Sequence, residues 1–128
     1  MKRAFLAIAA TTLWISISEF VRNSFLLREY WVAHFTARGQ AFPEEALNGA
    51  VWGMWSLCFA ISIYVLSRKF TMVHTALLSW LFGFVCMWLV IGNLGVLPFG
   101  ILPIAVPLSL FEVFLAVYII NKVAPVVA

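Results

Sequence analysis

Residues 47–66 read LNGAVWGMWSLCFAISIYVL, and this stretch decides the fold class of the chain. It contains no charged residue, and Ser67, Arg68 and Lys69 follow it directly. A helix rises about 1.5 Å per residue, so about 20 apolar residues cross the hydrocarbon core of a bilayer. We therefore predict that residues 47–66 form a transmembrane helix.

The same pattern occurs in the rest of the chain. Hydrophobic residues make up 65% of it and charged residues 10%, whereas a soluble domain has about a quarter of its residues charged. We predict four spans, at about residues 4–27, 47–66, 73–94 and 101–121, with one sizeable outer loop at 28–46. No linker or internal repeat divides the sequence. Residues 1–128 are thus predicted to form a single domain, an all-α integral membrane protein with an up-down four-helix bundle.

The positions of the basic residues predict the orientation in the membrane. Five of them fall on one side of the predicted bilayer: Lys2, Arg3, Arg68, Lys69 and Lys122. The other side holds Arg28 and Arg38. Because loops rich in Lys and Arg stay in the cytoplasm, both termini are predicted to be cytoplasmic. We expect a plasma membrane, which is the inner membrane if the source is bacterial, and we interpret the first span as a signal anchor.

Small and polar residues recur on each predicted span at intervals of three and four, which keeps them on one helix face. Such residues let helix backbones approach closely in lipid, and Gly49-x-x-x-Gly53 is a recognised form of this device. We predict that the four faces meet at the bundle axis, with helix packing through Gly49, Gly53, Ser56, Ala60, Ser79 and Gly83. The faces further include Ala9, Thr12, Ser16, Ala76, Cys86, Ala105 and Ala116.

The same faces carry polar and charged residues, which predict an intramembrane polar cluster. Its members are Glu19, Arg22, Asn23, Asn93, Ser109 and Glu112. A charged group near the bilayer centre costs at least about 2.5–3.5 kcal/mol, so it rarely lacks a role. In one interpretation, Arg22 pairs with Glu19 or Glu112, and the network only fixes the helix register. In the other, a carboxyl group binds and releases a proton or cation as the bundle opens.

The sequence contains no recognisable catalytic or metal-binding motif. It lacks a Ser/His/Asp set, a phosphate-binding loop, CxxC and HExxH, and Cys58 and Cys86 are interpreted as unpaired, buried apolar residues. We therefore predict no catalytic residue, no metal and no cofactor. Because the basic residues flank apolar spans, nucleic acid is not an expected partner. The expected partners are membrane lipid and either a second copy, giving a homodimer, or a larger membrane complex.

In its four short spans and the glutamate of the first, the chain resembles the small multidrug-resistance transporters. It departs from them in having Glu112 in span four, Arg22 one turn from Glu19, and a long outer loop, so the sequence assigns no family. The leading hypothesis is a non-enzymatic, small polytopic membrane protein that acts as a binding or accessory component. The alternative is a proton- or cation-coupled transporter or channel using Glu19 and Glu112. A lipid-binding protein or an intramembrane enzyme comes third.

Overall fold

A computed structural model describes residues 1–126, and the regular structure within this range is entirely helical. The α-helices are α1 (Lys2–Phe20), α2 (Arg28–Ala37), α3 (Ala46–Ser67), α4 (Met72–Trp80), α5 (Cys86–Asn93) and α6 (Leu102–Val123). Two π-helical turns, Val21–Leu26 and Leu81–Val85, continue α1 and α4. A short 3-10 helix, Phe99–Ile101, leads into α6.

Four helical stretches of residues 1–126 are long and apolar enough to cross a membrane. They are span one (Lys2–Leu26), span two (Ala46–Ser67), span three (Met72–Asn93) and span four (Phe99–Val123). The predicted fold class is thereby confirmed as far as four apolar helices packed in a bundle, and the composition marks a small multi-pass membrane protein. The predicted outer loop contains a helix of its own, α2.

The bundle is closed around a core to which every span contributes. Span one packs against spans two and four, and span three packs against the same two spans. At one end, Leu27 clusters with Leu97 and Ile101, so span one finishes where span four begins and the two run in opposite directions. Large apolar side chains such as Phe5 and Phe82 are exposed around the outside, where lipid would solvate them.

Short polar motifs and two glycines fix the helix ends. The carboxylate of Glu45 and the side chain of Asn48 form a capping box at the start of α3, and they satisfy backbone N–H groups that the helix leaves free. Thr71 Oγ1 accepts a hydrogen bond from the backbone N of His74 and caps α4. Gly39 and Gly95 follow α2 and α5 with φ values of +70° and +71°, a left-handed conformation that favours glycine.

The buried face of span one differs from the predicted face. The residues of α1 that are buried are Ala7, Thr11, Ile15 and Glu19. By contrast, Ala9 is exposed and Thr12 is half-buried, with its hydroxyl bonded to the carbonyl of Ile8 in its own helix. The prediction assumed that only small residues face the axis. The bundle instead buries Ile15, because an apolar side chain fills core volume that a small residue would leave empty.

Span three follows the predicted face only up to its π-helical turn. Ala76 and Ser79 are buried, whereas Cys86 and Asn93, which lie beyond the turn, are exposed. A π turn holds more residues than an α turn, so the residues after it are rotated away from the face that a constant period predicts. Cys58 and Cys86 are both free and exposed, so their expected burial is wrong.

The glycines predicted to pack between helices have opposite surroundings. A Cβ added at Gly83 would lie 2.6 Å from the ring of Phe59, so spans two and three approach closely there. A Cβ added at Gly49 or Gly53 would meet nothing within 4 Å. The Gly49–Gly53 face is therefore open within the chain, while Ser56, Ala60 and Ser79 are buried.

Gly83→Ala should destabilise the bundle, because the new methyl group overlaps the ring of Phe59. Overpacking of a filled core typically costs about 1–3 kcal/mol, and Phe59→Leu should restore part of the loss. Reversible unfolding in mixed detergent micelles measures the change. Gly53→Ala is the matched control and should leave stability unchanged or slightly improved. Equal effects of Gly83→Ala and Gly53→Ala would contradict the close approach at Gly83.

Candidate functional site

Three charged side chains lie inside the bundle where spans one and four meet. The exposed fraction is 4% for Glu19, 4% for Arg22 and 0% for Glu112. Glu19 stands near the end of α1, Arg22 in the π-helical turn that follows, and Glu112 near the middle of α6. We refer to these three residues as the charge cluster. Ionisable groups at membrane depth face the bundle interior and pair with one another, as these do.

Arg22 connects the two carboxylates of the charge cluster. Its Nη2 donates a hydrogen bond to Oε1 of Glu19, and its Nη1 lies 3.5 Å from Oε1 of Glu112. Its guanidinium carbon lies 5.2 Å from the centre of the Phe84 ring in span three, within the range of a cation–π interaction. Arg22 therefore points into the bundle and contacts spans three and four from its place in span one.

The two π-helical turns found in residues 1–126 both contribute to this contact. Arg22 belongs to the turn Val21–Leu26, and Phe84 belongs to the turn Leu81–Val85. Turns of this kind occur mainly as local irregularities in α-helices and often lie at functional sites. Here the two turns are in contact, because the guanidinium of Arg22 lies over the ring of Phe84.

A chain of hydrogen bonds leads from the charge cluster to α2. The side chain of Asn23 donates to Glu19 twice, from Nδ2 to Oε2 at 2.9 Å and to the backbone carbonyl at 3.2 Å. Trp31 Nε1 in turn donates to Oδ1 of Asn23 at 3.1 Å. Asn23 thus orients the carboxylate of Glu19 and is itself held by Trp31, so the position of α2 is linked to the cluster.

Ser109 and the backbone of Glu112 are anchored by two indole groups. Trp80 Nε1 donates to Oγ of Ser109 at 2.9 Å, and that hydroxyl donates to the carbonyl of Val106 at 2.9 Å. Trp14 Nε1 donates to the backbone carbonyl of Glu112 at 2.9 Å. The hydroxyl of Ser109, one helical turn before Glu112, is therefore hydrogen-bonded to Trp80 and Val106 and not to the carboxylate of Glu112. The indoles fix α6 between spans one and three.

The carboxylate of Glu112 differs from that of Glu19 in its hydrogen bonding. Within residues 1–126, neither Oε1 nor Oε2 of Glu112 has a hydrogen-bond partner, and Nη1 of Arg22 has none either. Nη1 of Arg22 lies 3.5 Å from Oε1 of Glu112, without a formed hydrogen bond. Glu112 is thus fully buried, and within residues 1–126 no hydrogen-bond donor contacts its carboxyl oxygens.

The structure differs from the predicted polar cluster in two ways. One predicted member lies outside the cluster, and several hydrogen-bond donors that contact its members were not predicted. Asn93 is exposed at the last position of α5, outside the charge cluster. The predicted cluster included no tryptophan, whereas Trp14, Trp31 and Trp80 donate hydrogen bonds inside the chain. The available signal was the indole N–H itself, which finds a partner when buried.

The end of the bundle next to α2 is held by contacts between α2 and its surroundings. Nε2 of His34 lies 2.8 Å from the carbonyl oxygen of Gly95, and Arg38 donates to the same oxygen. Nε of Arg28 lies 2.8 Å from Oε1 of Glu44, and this hydrogen-bonded pair raises the pKa of Arg28. These contacts fasten α2, and with it Trp31, to the loops that contain Glu44 and Gly95.

Comparison with protein-family models, with curated proteins and with solved structures finds no match to this chain. Its function is therefore to be inferred from the residues themselves. The charge cluster and the open Gly49–Gly53 face are the two features that point to chemistry or to binding.

Arg22→Leu should strongly destabilise the bundle. It leaves the buried carboxylate of Glu19 without its counter-charge, and removing one partner of a buried ion pair typically costs about 3–5 kcal/mol. The free energy of unfolding in mixed micelles is the measurement. Arg28→Leu is the matched control, since it breaks an ion pair of half-exposed side chains and should cost far less. Similar losses for the two variants would show that Arg22 does not hold the interior together.

Proposed function

We propose that this chain is a non-enzymatic, multi-pass protein of a plasma membrane, acting as a binding or accessory component. The observation that carries the proposal is the closed charge cluster. Arg22 lies between both carboxylates, and all three side chains are at most 5% exposed. A polar interior of this kind holds spans one and four in register, which leaves the outer surface of the bundle for binding.

The open Gly49–Gly53 face supports a role in association. Lipid tails do not require a close approach of helix backbones, whereas a transmembrane helix of another chain uses small residues for close packing. The two glycines stand near the start of α3, where a Cβ on either would meet nothing within 4 Å. The partners we propose are membrane lipid and a second copy of this chain or a larger membrane complex.

The charge distribution supports an orientation with both termini in the cytoplasm. Lys2, Arg68 and Lys122 stand at or near the ends of spans that would then face the cytoplasm, while Arg28 and Arg38 would lie outside. In a bacterium the membrane is then the inner membrane. The loop with α2 would face the exterior or the periplasm.

A proton- or cation-coupled transporter using Glu19 and Glu112 is the second candidate. The observation that favours it is the absence of a hydrogen-bond donor on either oxygen of Glu112 within the described residues. Against it stands the complete burial of Glu112, since a coupled carboxylate must reach water on each side in turn.

Labelling of single cysteines tests the orientation. With Cys58 and Cys86 replaced by Ala, Gln40→Cys should react with an impermeant maleimide added to intact cells. The matched variant Lys69→Cys should react only after the membrane is opened, because residue 69 lies in the predicted cytoplasmic loop. Both positions are exposed in the structure. The reverse pattern would place the termini outside.

Gly53→Leu should weaken self-association if the open glycine face binds a second copy. Native mass spectrometry from lipid nanodiscs is the measurement, with the wild type expected as a dimer and the variant shifted toward monomer. Val51→Leu is the matched control, since Val51 is an exposed apolar residue on the same helix. A wild-type monomer at every protein density would contradict the dimer.

Flux measurements in proteoliposomes separate the two candidate functions. The accessory proposal predicts that the wild type moves protons and monovalent cations no faster than empty liposomes. A flux that Glu112→Gln abolishes, while the outer-loop variant Glu44→Gln retains it, would overturn the accessory proposal in favour of the transporter.

A further inference from the structure

The charge cluster contains one more carboxylate than guanidinium groups. Glu19 and Glu112 carry two negative charges when both are ionised, and Arg22 supplies one positive charge. Because the three side chains are at most 5% exposed, water does not solvate the remaining charge. A buried charge without a partner is strongly unfavourable, so the cluster requires one further positive charge from elsewhere.

No neighbouring span supplies this charge within the described residues. The titratable side chains that face Glu112 from span one are Glu19 and Arg22 themselves. The buried side chains of spans two and three carry no titratable group: Ser56, Phe59, Ala60, Ile63, Ser67, Thr75, Ala76, Ser79 and Phe84. Cys58, His74 and Cys86 of these spans are exposed, and Tyr64 stacks on Arg68 near the end of span two. In span four, Tyr118 and Lys122 are exposed.

The hydrogen bonds distinguish the two carboxylates. Both oxygens of Glu19 accept hydrogen bonds, one from Arg22 and one from Asn23, and donors of this kind favour an ionised carboxylate. Neither oxygen of Glu112 accepts one within the described residues, and the residue is fully buried. Burial without donors favours the neutral form of a carboxyl group, so the two acids differ in the state that their surroundings stabilise.

We infer that the charge cluster is a binding site for one proton, which Glu112 carries while Glu19 remains ionised beside Arg22. The proton joins a carboxylate oxygen of Glu112 and brings the cluster to neutrality without further ligands. A metal ion fits less well. Calcium takes six to eight oxygen ligands, and the oxygens of Glu19 are already engaged by Arg22 and Asn23.

The glutamates of this chain allow the proton to be located directly. All five acidic residues are glutamates, and Glu29, Glu44 and Glu45 are exposed. The carboxyl carbon of a ¹³C-labelled glutamate shifts on protonation, so NMR of the full chain in lipid nanodiscs reports each acid separately. At neutral pH we expect one protonated and four ionised carboxyl signals, with the protonated signal absent from Glu112→Gln.

Two further variants test the charge balance that carries the inference. In Glu19→Gln, Arg22 is left with a single acid, so Glu112 should become ionised and the protonated signal should be lost. In Arg22→Gln, both buried acids should be protonated, giving two such signals. Glu44→Gln is the control and should leave the protonated signal unchanged, since Glu44 lies in the outer loop. If Arg22→Gln does not fold, the two glutamate variants and the control are sufficient.

Three results would overturn the inference. Five ionised signals in the wild type at neutral pH would mean that Glu112 carries no proton. A protonated Glu112 in Glu19→Gln would mean that burial alone, and not the charge balance with Arg22, holds the proton. A Glu112 signal that responds to sodium or potassium but not to pH would assign the site to a metal cation.

Proton binding at the charge cluster does not depend on the proposed function. A protonated Glu112 in a protein without flux leaves the accessory role intact and makes the association of spans one and four responsive to pH. A protonated Glu112 together with flux supports the transporter. The NMR experiment can therefore contradict proton binding without contradicting the proposed function, and the liposome experiment can do the reverse.

Discussion

The scarcity of positive charge inside the bundle is the constraint on which the rest of the structure depends. One guanidinium group serves two buried carboxylates, and lipid offers no alternative solvent for any of them. Arg22 must therefore stay between Glu19 and Glu112, and span four must stay against span one. The flanking contacts follow from this placement. Asn23 holds the carboxylate of Glu19, and the Phe84 ring covers the face of the guanidinium.

Both irregular helical turns described above lie at the level of the charge cluster. Arg22 and Phe84 each lie in a π-helical turn, Val21–Leu26 and Leu81–Val85, and the guanidinium of Arg22 contacts the ring of Phe84. The close approach of Gly83 to Phe59 belongs to the same region. Packing and electrostatics are thus adjusted together at one level of the bundle.

The sequence alone predicted the four spans, because their length and apolarity are set by the bilayer and do not depend on partners. It also predicted that Glu19, Arg22 and Glu112 lie in the interior. It did not predict the exposure of Cys86 and Asn93. A π turn rotates the residues that follow it, and the spacing of residues in the sequence does not reveal where such a turn lies. Nor did it predict that Ile15 would be buried in place of Ala9, because burial depends on the shape of the neighbouring helix.

The order of the charges along the chain has a consequence for biosynthesis. Glu19 and Arg22 are three residues apart, so span one enters the bilayer as a segment that already neutralises itself. Span four is made after the other three spans, and Glu112 enters with it without a cation nearby in the same helix. Its insertion as a separate helix carries the cost of a charged or protonated acid until it reaches Arg22. Span one is therefore in the membrane before span four, and completion of the bundle depends on these two helices meeting there.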